Sequence, residues 1–501
     1  MTDVRSGVPL LRVELANDAG IARSTARLLR SDYDPRSVVE ETSTDPWPGD
    51  LAGRLLLSLS RYARAGLQTD RAADALFAEM SAAIRERGYF GPPLGPTRDE
   101  QQLACHGWVV AGFLQYHHLT GEESARAAAL RVIDELILPG LGSLDDYPVD
   151  RAPVEDGAAS GQIGLRTPEW DLSTDTYCVL LCLNGLVPAY LETGRADLLA
   201  AVSGLADLVT AIDVVSTGAQ LHAVLAAARC LSDLAVAGRD EYRGLASSLF
   251  DTYRNHAQSL TFAPYNWFGR ADSWSEPCAM VDALGVAQNL WRITGDPAYL
   301  EEIARTEHNA LAFAHRADGS FGLDSLPTVD DPALRRIHDD ARWCCTMRGA
   351  IGVLEVREHS VEFDPDTATL TILDPHTGSV TLATADGEWE LRITANWPAD
   401  STVRVEAHRA PHNGALTVGL HPVRGGGEIA LGGSQGYAGT LTAVAPHVVD
   451  PIGRGLAREF RGPTLRVSAG ADETGDRWLD EGLSLDEGAL VVAFPVRGGE
   501  S

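Results

Sequence analysis

The stretch SEPCAMVDALGVAQNLWRITGDPAYLEEIARTEHNALAF, residues 275–313, holds two helical patterns separated by a glycine and a polar turn. Gly295 ends the first pattern, and glycine is favoured just past a helix because it adopts positive φ without strain. The same punctuation recurs at Gly121, Gly194 and Gly238. Helical hairpins repeated over about 300 residues must bury their inner faces on one another. The pattern predicts a closed ring of paired helices, an α/α toroid, with an open solenoid as the alternative.

The sequence texture changes after residue 355, where period-two alternation replaces the helical pattern. Apolar and polar residues alternate in ATLTILD, SVTLAT, EWELRITA, TVRVEAH, ALTVGLHPV, TLRVSAG and ALVVAFPV. Glycine, proline and aspartate separate these segments, as is typical of short strands joined by turns. The predicted fold class is therefore mainly α with a β domain. An α/α barrel of six hairpins spans 45–355, a β-sandwich spans 356–501, and the segment 1–44 could add its PLLRVEL stretch to the sandwich as a strand.

Composition and charge restrict the classes of partner. The chain has 501 residues, 45% of them hydrophobic, and a formal net charge of −29. Nucleic acids and anionic membranes both require basic patches, so neither is an expected partner. No run of about 18 apolar residues is present, and the N-terminus lacks a signal-peptide pattern. We expect a cytoplasmic protein that binds a small-molecule substrate, and a homodimer is one assembly that stays open.

The seven cysteines are unevenly placed. An odd number in a long chain without a secretion signal argues against a disulfide framework. Four cysteines lie in apolar helical patterns and are predicted to be buried thiols: Cys105, Cys178, Cys182 and Cys230. The other three belong to the segments SEPCAM and RWCCTM and require a different explanation.

Glu276, Cys278, Cys344 and Cys345 lie at the starts of two predicted helices. Pro277 is favoured in a first helical turn, which places its two neighbours at the helix entry, where irregular backbone can aim both side chains one way. The positive end of a helix dipole favours thiolates. Three thiolates and one carboxylate are ligands that zinc binds tetrahedrally. On spacing alone, the alternative of three buried cysteines and a capping glutamate stays open.

The segment 275–313, followed by RWCC at 342–345, resembles the β-L-arabinofuranosidase family, glycoside hydrolase family 127. The family pattern is E-T-C-A, a helix, T-G-D, a second helix and a W-x-C-x-C-C segment. The family has an α/α barrel followed by β-sandwich modules. The resemblance implies that Glu276, Cys278, Cys344 and Cys345 bind zinc, and that Cys344 is a zinc-bound nucleophile in a retaining mechanism.

The sequence departs from the family where catalysis would be carried. The family's general acid/base glutamate falls on Leu260, and leucine cannot protonate a leaving group. The family's sugar-contacting histidines fall near Trp108, Val179 and Gln220, none of which is histidine. The metal ligands are therefore kept while the glycosidase machinery is replaced. Trp108 and Gln220 remain candidate substrate-binding residues by their position in the pattern.

Three acidic residues are further catalytic candidates. Glu169, with Asp171, lies in a loop before a predicted helix and could do acid/base work or cap the helix. Asp339 and Asp340 come shortly before the cysteine pair. They could reach the open side of the metal or belong to a solvated turn.

Ring side chains are candidates for substrate contacts. His106 could line the mouth of the barrel or be buried with its hydrogen bonds satisfied. Tyr265 and Trp267 crowd the segment before Glu276. Such aromatic groups could form the floor of a ligand site or pack in the core.

Three functions fit the sequence. The first is a zinc-dependent glycosidase in which Asp272, Asp339, Asp340 or Glu169 replaces the missing acid. The second is a repurposed enzyme, a lyase, cyclase or transferase acting on a small metabolite with the same scaffold. The third is a non-catalytic protein whose zinc is structural. Fold alone does not choose among them.

Overall fold

A computed structural model of the chain describes a helical N-terminal part and a β-rich C-terminal part. The described residues are 11–15, 18–155, 159–327, 334–395, 403–411, 415–420, 429–433, 440–444, 464–466, 484–485 and 489–491. The first ten residues of the predicted N-terminal segment and much of the predicted sandwich after residue 420 lie outside these ranges.

Helices dominate the chain up to residue 358. The first eight are α1 Ala19–Leu28, α2 Pro35–Thr44, α3 Asp50–Arg64, α4 Asp70–Ala83, α5 Glu100–Thr120, α6 Glu123–Val132, α7 Leu138–Leu141 and α8 Leu183–Thr193. The others are α9 Ala196–Ala211, α10 Leu221–Val236, α11 Arg243–His256, α12 Pro277–Thr294, α13 Pro297–Arg305, α14 Ala312–Ala314 and α15 Cys345–Glu358. None of the described helices is long and apolar enough to span a lipid bilayer.

The glycines that punctuate the sequence end helices as predicted. Gly121, Gly194 and Gly295 follow α5, α8 and α12 with φ of 73°, 66° and 67°. Each donates its N–H to a carbonyl in the last turn of its helix, which satisfies a group that the helix leaves free. Gly238, with φ of 96°, comes one residue later, after the C-cap Ala237 of α10, and donates its N–H to the Ala235 carbonyl. The hairpin pattern therefore rests on one local backbone requirement.

Helix α3 is buried on two faces. Leu55 and Leu59 lie on its apolar face and are at most 1% exposed. Arg54 and Arg61 lie on the opposite face, as the helical period predicts. That face also points into the protein, because both guanidinium groups form ion pairs there.

Glycine allows α3 and α5 to touch closely. A Cβ at Gly53 would lie 2.6 Å from the backbone nitrogen of Val109, and one at Gly112 would lie 2.7 Å from the Gly53 carbonyl oxygen. Any larger residue would push the two helices apart, because neither neighbour is a movable side chain. Since α3 carries Asp50 and Arg54, this contact fixes where those two side chains lie.

Strands form small sheets in the helical part and larger sheets after it. The strands are β1 Leu11–Glu14, β2 Arg98–Asp99, β3 Ile163–Arg166, β4 Trp170–Ser173, β5 Trp274–Ser275, β6 Leu323–Ser325, β7 Arg336–His338, β8 Val361–Asp364 and β9 Thr369–Ile372. They continue with β10 Gly378–Thr384, β11 Gly387–Ala395, β12 Val403–Arg409, β13 Ala415–Leu420, β14 Ile429–Gly433, β15 Thr440–Val444, β16 Thr464–Arg466, β17 Ser484–Leu485 and β18 Ala489–Val491.

Two C-terminal sheets share one apolar cluster. The five-stranded sheet has the order β1-β10-β11-β12-β14, and the four-stranded sheet has the order β15-β13-β9-β8. Buried side chains of both sheets, among them Phe363, Leu370, Trp389 and Val405, belong to the same cluster. The period-two segments of the sequence therefore do form strands with one buried face.

The N-terminal segment joins both parts of the chain. Strand β1 pairs with β10, so the PLLRVEL stretch supplies a strand to the five-stranded sheet as predicted. The residues that follow form α1 and α2, which belong to the helical part. Arg27 of α1 pairs with Asp340, and Tyr33 donates a hydrogen bond to the carbonyl of Arg342. The segment therefore supports the chain just before the Cys344–Cys345 pair.

Candidate functional site

The four predicted metal ligands meet at two helix starts. Glu276 is the residue before α12, and Cys344 is the residue before α15. A three-stranded sheet in the order β5-β6-β7 brings these starts together, because β5 leads into Glu276 and β7 shortly precedes Cys344. The ligand atoms of Glu276, Cys278, Cys344 and Cys345 all lie within 4.8 Å of one another. Strand pairing thus brings together two motifs that are far apart in the sequence.

The spacing of these ligand atoms fits a tetrahedral zinc site. Zn–S bonds of about 2.3 Å place two sulfur ligands about 3.8 Å apart. The Cys278 and Cys345 sulfurs are 3.8 Å apart, and the Cys344 and Cys345 sulfurs are 3.3 Å apart. Glu276 Oε1 lies 3.9 Å from the sulfurs of both Cys344 and Cys345. The donor set and its spacing therefore suit one zinc ion.

The three thiols differ in exposure and in acidity. Cys278 and Cys345 are at most 1% exposed, whereas Cys344 is only partly buried. Hydrogen bonds with Cys278 and Cys345 lower the pKa of Cys344 to about 6. Burial raises the pKa of Cys278 and of Cys345. Cys344 is therefore both the most accessible and the most readily ionised sulfur of the three.

A column of paired charges lies beneath the cysteines. Arg54 donates to the Cys278 sulfur at 3.7 Å and pairs with Asp50 at 2.8 Å. Arg348 pairs with Asp282, which lies in α12 one helical turn after Cys278. The column continues through Arg229–Glu355 (2.7 Å), Arg61–Glu355 (3.2 Å) and Arg61–Glu358 (2.9 Å). Buried ion pairs thus extend from the cysteines into the helical part.

Trp108 and His222 lie beside this column of paired charges. Both the Arg54 and the Arg348 guanidinium groups lie over the Trp108 ring, at 4.1 and 4.9 Å from its centroid. His222 stacks on the same ring with a centroid separation of 6.0 Å. Burial, together with Arg54 and Arg348, holds the pKa of His222 well below its usual range, so the imidazole is neutral. Its Nδ1 lies 3.8 Å from Glu276 Oε1, which places it beside the metal ligands.

A cavity of about 450 Å³ opens above Cys344 and Cys345. Three tryptophans, Trp47, Trp274 and Trp343, form much of its aromatic wall, and Trp343 is 45% exposed. The cavity therefore has the size and lining typical of a small-molecule site, with a reactive sulfur on its surface.

Polar side chains reach the same cavity from separate elements. Asp50, Asp175, Gln220 and His222 line it together with Glu276. Burial raises the pKa of Asp175 to about 7, an effect that its hydrogen bond with Ser160 opposes. Burial also raises the pKa of Asp50 to about 6, although Arg54 pulls it down. Two carboxyl groups that can carry protons near neutral pH thus face the space above Cys344.

The acidic candidates from the sequence lie elsewhere in the described structure. Asp340 pairs with Arg27 at 2.6 Å and accepts a hydrogen bond from Thr346 at 2.7 Å. Asp339 is exposed, and its backbone carbonyl accepts from Ser320. Glu169 is half-buried in the turn before β4. None of the three is among the described residues that line the cavity.

The predicted substrate-binding residues also differ in whether they line the cavity. Gln220 lines the cavity, whereas Trp108 lies below the cavity beside the column of paired charges. His106 is fully buried, with Nδ1 2.6 Å from the Gln102 carbonyl and Nε2 accepting from the Phe90 N–H at 3.0 Å. Its two ring nitrogens are thus committed to neighbouring backbone groups.

Tyr265 and Trp267 support the cavity wall from behind. The Trp267 ring nitrogen donates to the Thr174 carbonyl at 3.0 Å, and its ring meets Trp274 edge-on at 5.2 Å. Tyr265 forms an isolated β-bridge with Ser275. These contacts hold Trp274, which does line the cavity, and the residues around it.

Leu260 and Asp272 also lie outside the cavity lining within the described residues. Leu260 is half-buried in a tight turn whose ends are joined by a hydrogen bond from the Ser259 N–H to the Ala263 carbonyl. The Asp272 side chain is 58% exposed and pairs with Arg270 at 2.7 Å. Neither residue therefore offers an acidic group to the cavity.

Several solved structures have a similar fold. A GH127 β-arabinofuranosidase matches with a TM-score of 0.56 and 13% identity, over 80% of this chain and 68% of its own. A protein described as a glycoside hydrolase matches with a TM-score of 0.54 and 16% identity, over 82% and 69%. A GH127 β-L-arabinofuranosidase from Geobacillus stearothermophilus T6 matches with a TM-score of 0.52 and 13% identity, over 82% and 68%.

No protein-family model and no curated protein sequence matches the chain. The likeness is therefore one of structure, at identities too low to carry function with it. It agrees with the resemblance that SEPCAM and RWCC establish in the sequence. The chain has a GH127-like fold.

Proposed function

We propose that the chain is a zinc-dependent glycoside hydrolase of the retaining type, similar to β-L-arabinofuranosidases, with Cys344 as its nucleophile. One observation carries the proposal: four zinc-type ligands converge at the base of a cavity of about 450 Å³, and the accessible sulfur among them faces that cavity. A structural zinc site is closed by its four ligands and has no reason to adjoin a substrate-sized cavity.

The residues of the chain have distinct parts in this proposal. Cys344 supplies the electron pair that attacks the anomeric carbon of a sugar bound in the cavity. Glu276, Cys278 and Cys345 fix its position, and Arg54 offsets the negative charge of the group from below. Zinc held by these ligands would keep the Cys344 thiolate ionised at neutral pH and lower its basicity, so that the sulfur can both attack and leave.

We infer the finer architecture from the same features. The helices would close into a six-hairpin α/α barrel whose interior is the charged column. The close contact of α3 with α5 and the glycine-ended hairpins support this arrangement. The two C-terminal sheets would form a β-sandwich, which their common apolar cluster supports.

The proposal is tested by metal analysis and by activity on aryl β-L-arabinofuranosides and other aryl glycosides. We expect about one zinc per chain, lost for the most part in Cys278→Ser, because that substitution removes a fully buried sulfur ligand. Cys344→Ser removes the partly exposed sulfur and should abolish turnover with little change in melting temperature, because the three remaining ligands can still hold a weakened metal. Cys230→Ser is the matched control, since it removes a buried thiol that contacts Asn184 rather than the ligand group.

Two results would contradict the proposal. The first is a metal-free purified protein without activity on any aryl glycoside. The second is a large fall in the melting temperature of Cys344→Ser, with activity lost only in proportion to the unfolded fraction. That second result would favour a structural zinc and leave no role for Cys344 in the chemistry.

A further inference from the structure

Asp175 lies at the end of a rigidly held segment after β4. Its N–H donates to the Ser173 hydroxyl at 3.0 Å, and its carbonyl accepts from the Cys178 N–H at 3.0 Å. Tyr177 has φ of 67°, in the left-handed region that a bulky residue occupies only when its surroundings enforce it. The Tyr177 hydroxyl donates to the Val149 carbonyl at 2.9 Å, which secures that conformation.

This segment presents the Asp175 carboxyl to the cavity above Cys344. The residue is 5% exposed, and its side chain is among those that line the cavity. Ser160 donates to the carboxyl, with distances of 2.7 and 2.9 Å to its two oxygens. Glu276, Cys344 and Cys345 line the same cavity, so the Asp175 carboxyl shares this space with the proposed nucleophile.

Asp175 differs from Asp50, the other buried carboxyl group of the cavity wall. Asp50 forms two hydrogen bonds with Arg54, at 2.8 and 2.9 Å, so a permanent cation keeps it occupied. The described partners of the Asp175 carboxyl are neutral groups, the Ser160 hydroxyl and the Gly161 backbone, and include no ion pair. A buried carboxyl group without a cation favours its protonated form, as a general acid requires.

We propose that Asp175 is the general acid and base of this site, in the role that Leu260 cannot fill. The assignment rests on the proposed function, because it requires a glycosidic bond held between Asp175 and Cys344. The acid thus comes from the segment after β4 rather than from the turn that contains Leu260. The chain would then be an active glycosidase with its acid at a new position.

The steps balance without any co-reactant other than water. First, the Cys344 sulfur bonds to the anomeric carbon, the bond from that carbon to the leaving oxygen breaks, and the Asp175 proton moves to that oxygen. Then the Asp175 carboxylate takes a proton from water, and the water oxygen bonds to the anomeric carbon. The carbon–sulfur bond breaks, and its electron pair returns to Cys344.

Leaving-group dependence tests the assignment. Asp175→Asn keeps the size of the side chain but has no proton to give, so turnover of substrates with poor leaving groups should fall by about 10²–10⁴-fold. Activated dinitrophenyl glycosides should lose far less in the first step, because their leaving group needs no protonation. Asp175→Ala should regain activity on them with added azide, which attacks without base assistance and yields a glycosyl azide.

Asp50→Asn is the matched control, since it removes the other buried carboxyl group of the cavity. We expect its loss of activity to be the same for all leaving groups and to be unaffected by azide. Zinc content, measured on every variant, reports an intact ligand group independently of turnover. The infrared band of protonated carboxyl groups near neutral pH should be weaker in Asp175→Asn than in the wild type by the contribution of one group.

The outcomes separate this assignment from the proposed function. A wild type inactive on every aryl glycoside refutes the proposed function and the assignment with it. If the wild type is active, two results overturn only the assignment. In the first, Asp175→Asn loses turnover by the same factor on substrates with good and with poor leaving groups. In the second, azide rescues Asp50→Asn rather than the Asp175 variant. Leaving-group dependence and azide rescue confined to the Asp175 variants support it.

Discussion

Removing the Asp175 carboxyl should change how the stability of the protein depends on pH. The folded-state pKa is raised from 3.8 to about 7, chiefly by burial. The negative charges of Glu100 and Asp50 also raise it, and Glu100 is itself paired with Arg151 at 3.2 Å. Because a pKa unit corresponds to about 1.36 kcal/mol, the shift of roughly 3 units corresponds to at most about 4 kcal/mol.

The sign follows from proton binding in the two states. Between about pH 4 and pH 7 the folded chain holds a proton on Asp175 that the unfolded chain has released. The contribution of this group to the free energy of unfolding is therefore largest below about pH 4. It falls as the pH rises to about 7 and is constant above that pH. Asp175→Asn has no such group. Relative to wild type, the variant should gain stability across this window by up to about 4 kcal/mol.

Urea unfolding followed by tryptophan fluorescence, at intervals from pH 4 to pH 8, measures this difference. Comparison of two proteins with the same zinc ligands cancels most of the pH dependence of metal binding. Asp207→Asn, on an exposed position of α9, controls for the loss of one negative charge. A stability difference between Asp175→Asn and wild type that stays flat with pH would refute the reasoning.

Two further substitutions test the packing around the site. Gly53→Ala should cost about 1–3 kcal/mol in unfolding free energy, because its Cβ would meet the Val109 nitrogen at 2.6 Å. The control Gly244→Ala, where the Cβ has open space, should be neutral or stabilising. Equal melting temperatures for the two variants would disprove the close contact. Arg348→Met should cost at most about 3–5 kcal/mol, because it leaves the buried Asp282 carboxylate with only its longer ion pair to Arg229, at 3.6 Å. Adding Asp282→Leu should recover part of the loss in a double-mutant cycle. Additive effects would show that the pair is not coupled.

The local patterns of the sequence were sufficient for many helix ends and strands, and for the position of Glu276 and Cys278 at a helix start. Glycine at a positive-φ position identified helix ends such as Gly295, and period-two alternation identified strands such as β11. Pro277 placed Glu276 and Cys278 at a helix entry, which is where the structure has them. Each of these features depends on neighbours within a few residues, which is why it can be seen in one sequence.

The cavity wall could not be predicted in this way. Asp175, His222 and Trp343 come from three distant segments, and no motif connects them. The helical period places Arg54 on the face of α3 opposite its leucines. That the face points inward depends on acids and sulfurs of α12 and α15, which only the tertiary arrangement supplies.

The charged column gives the cavity a closed end. Behind Cys278 lie the side chains of Arg54, Trp108 and Arg348, each at most 3% exposed. Under the proposed function, they would stop a ligand that reaches Cys344 from continuing into the helical part. Under the proposed function, a polysaccharide could not thread past the nucleophile, and only the terminal sugar of a chain would enter. Product and incoming substrate would share one passage, so released sugar should compete directly with the next substrate.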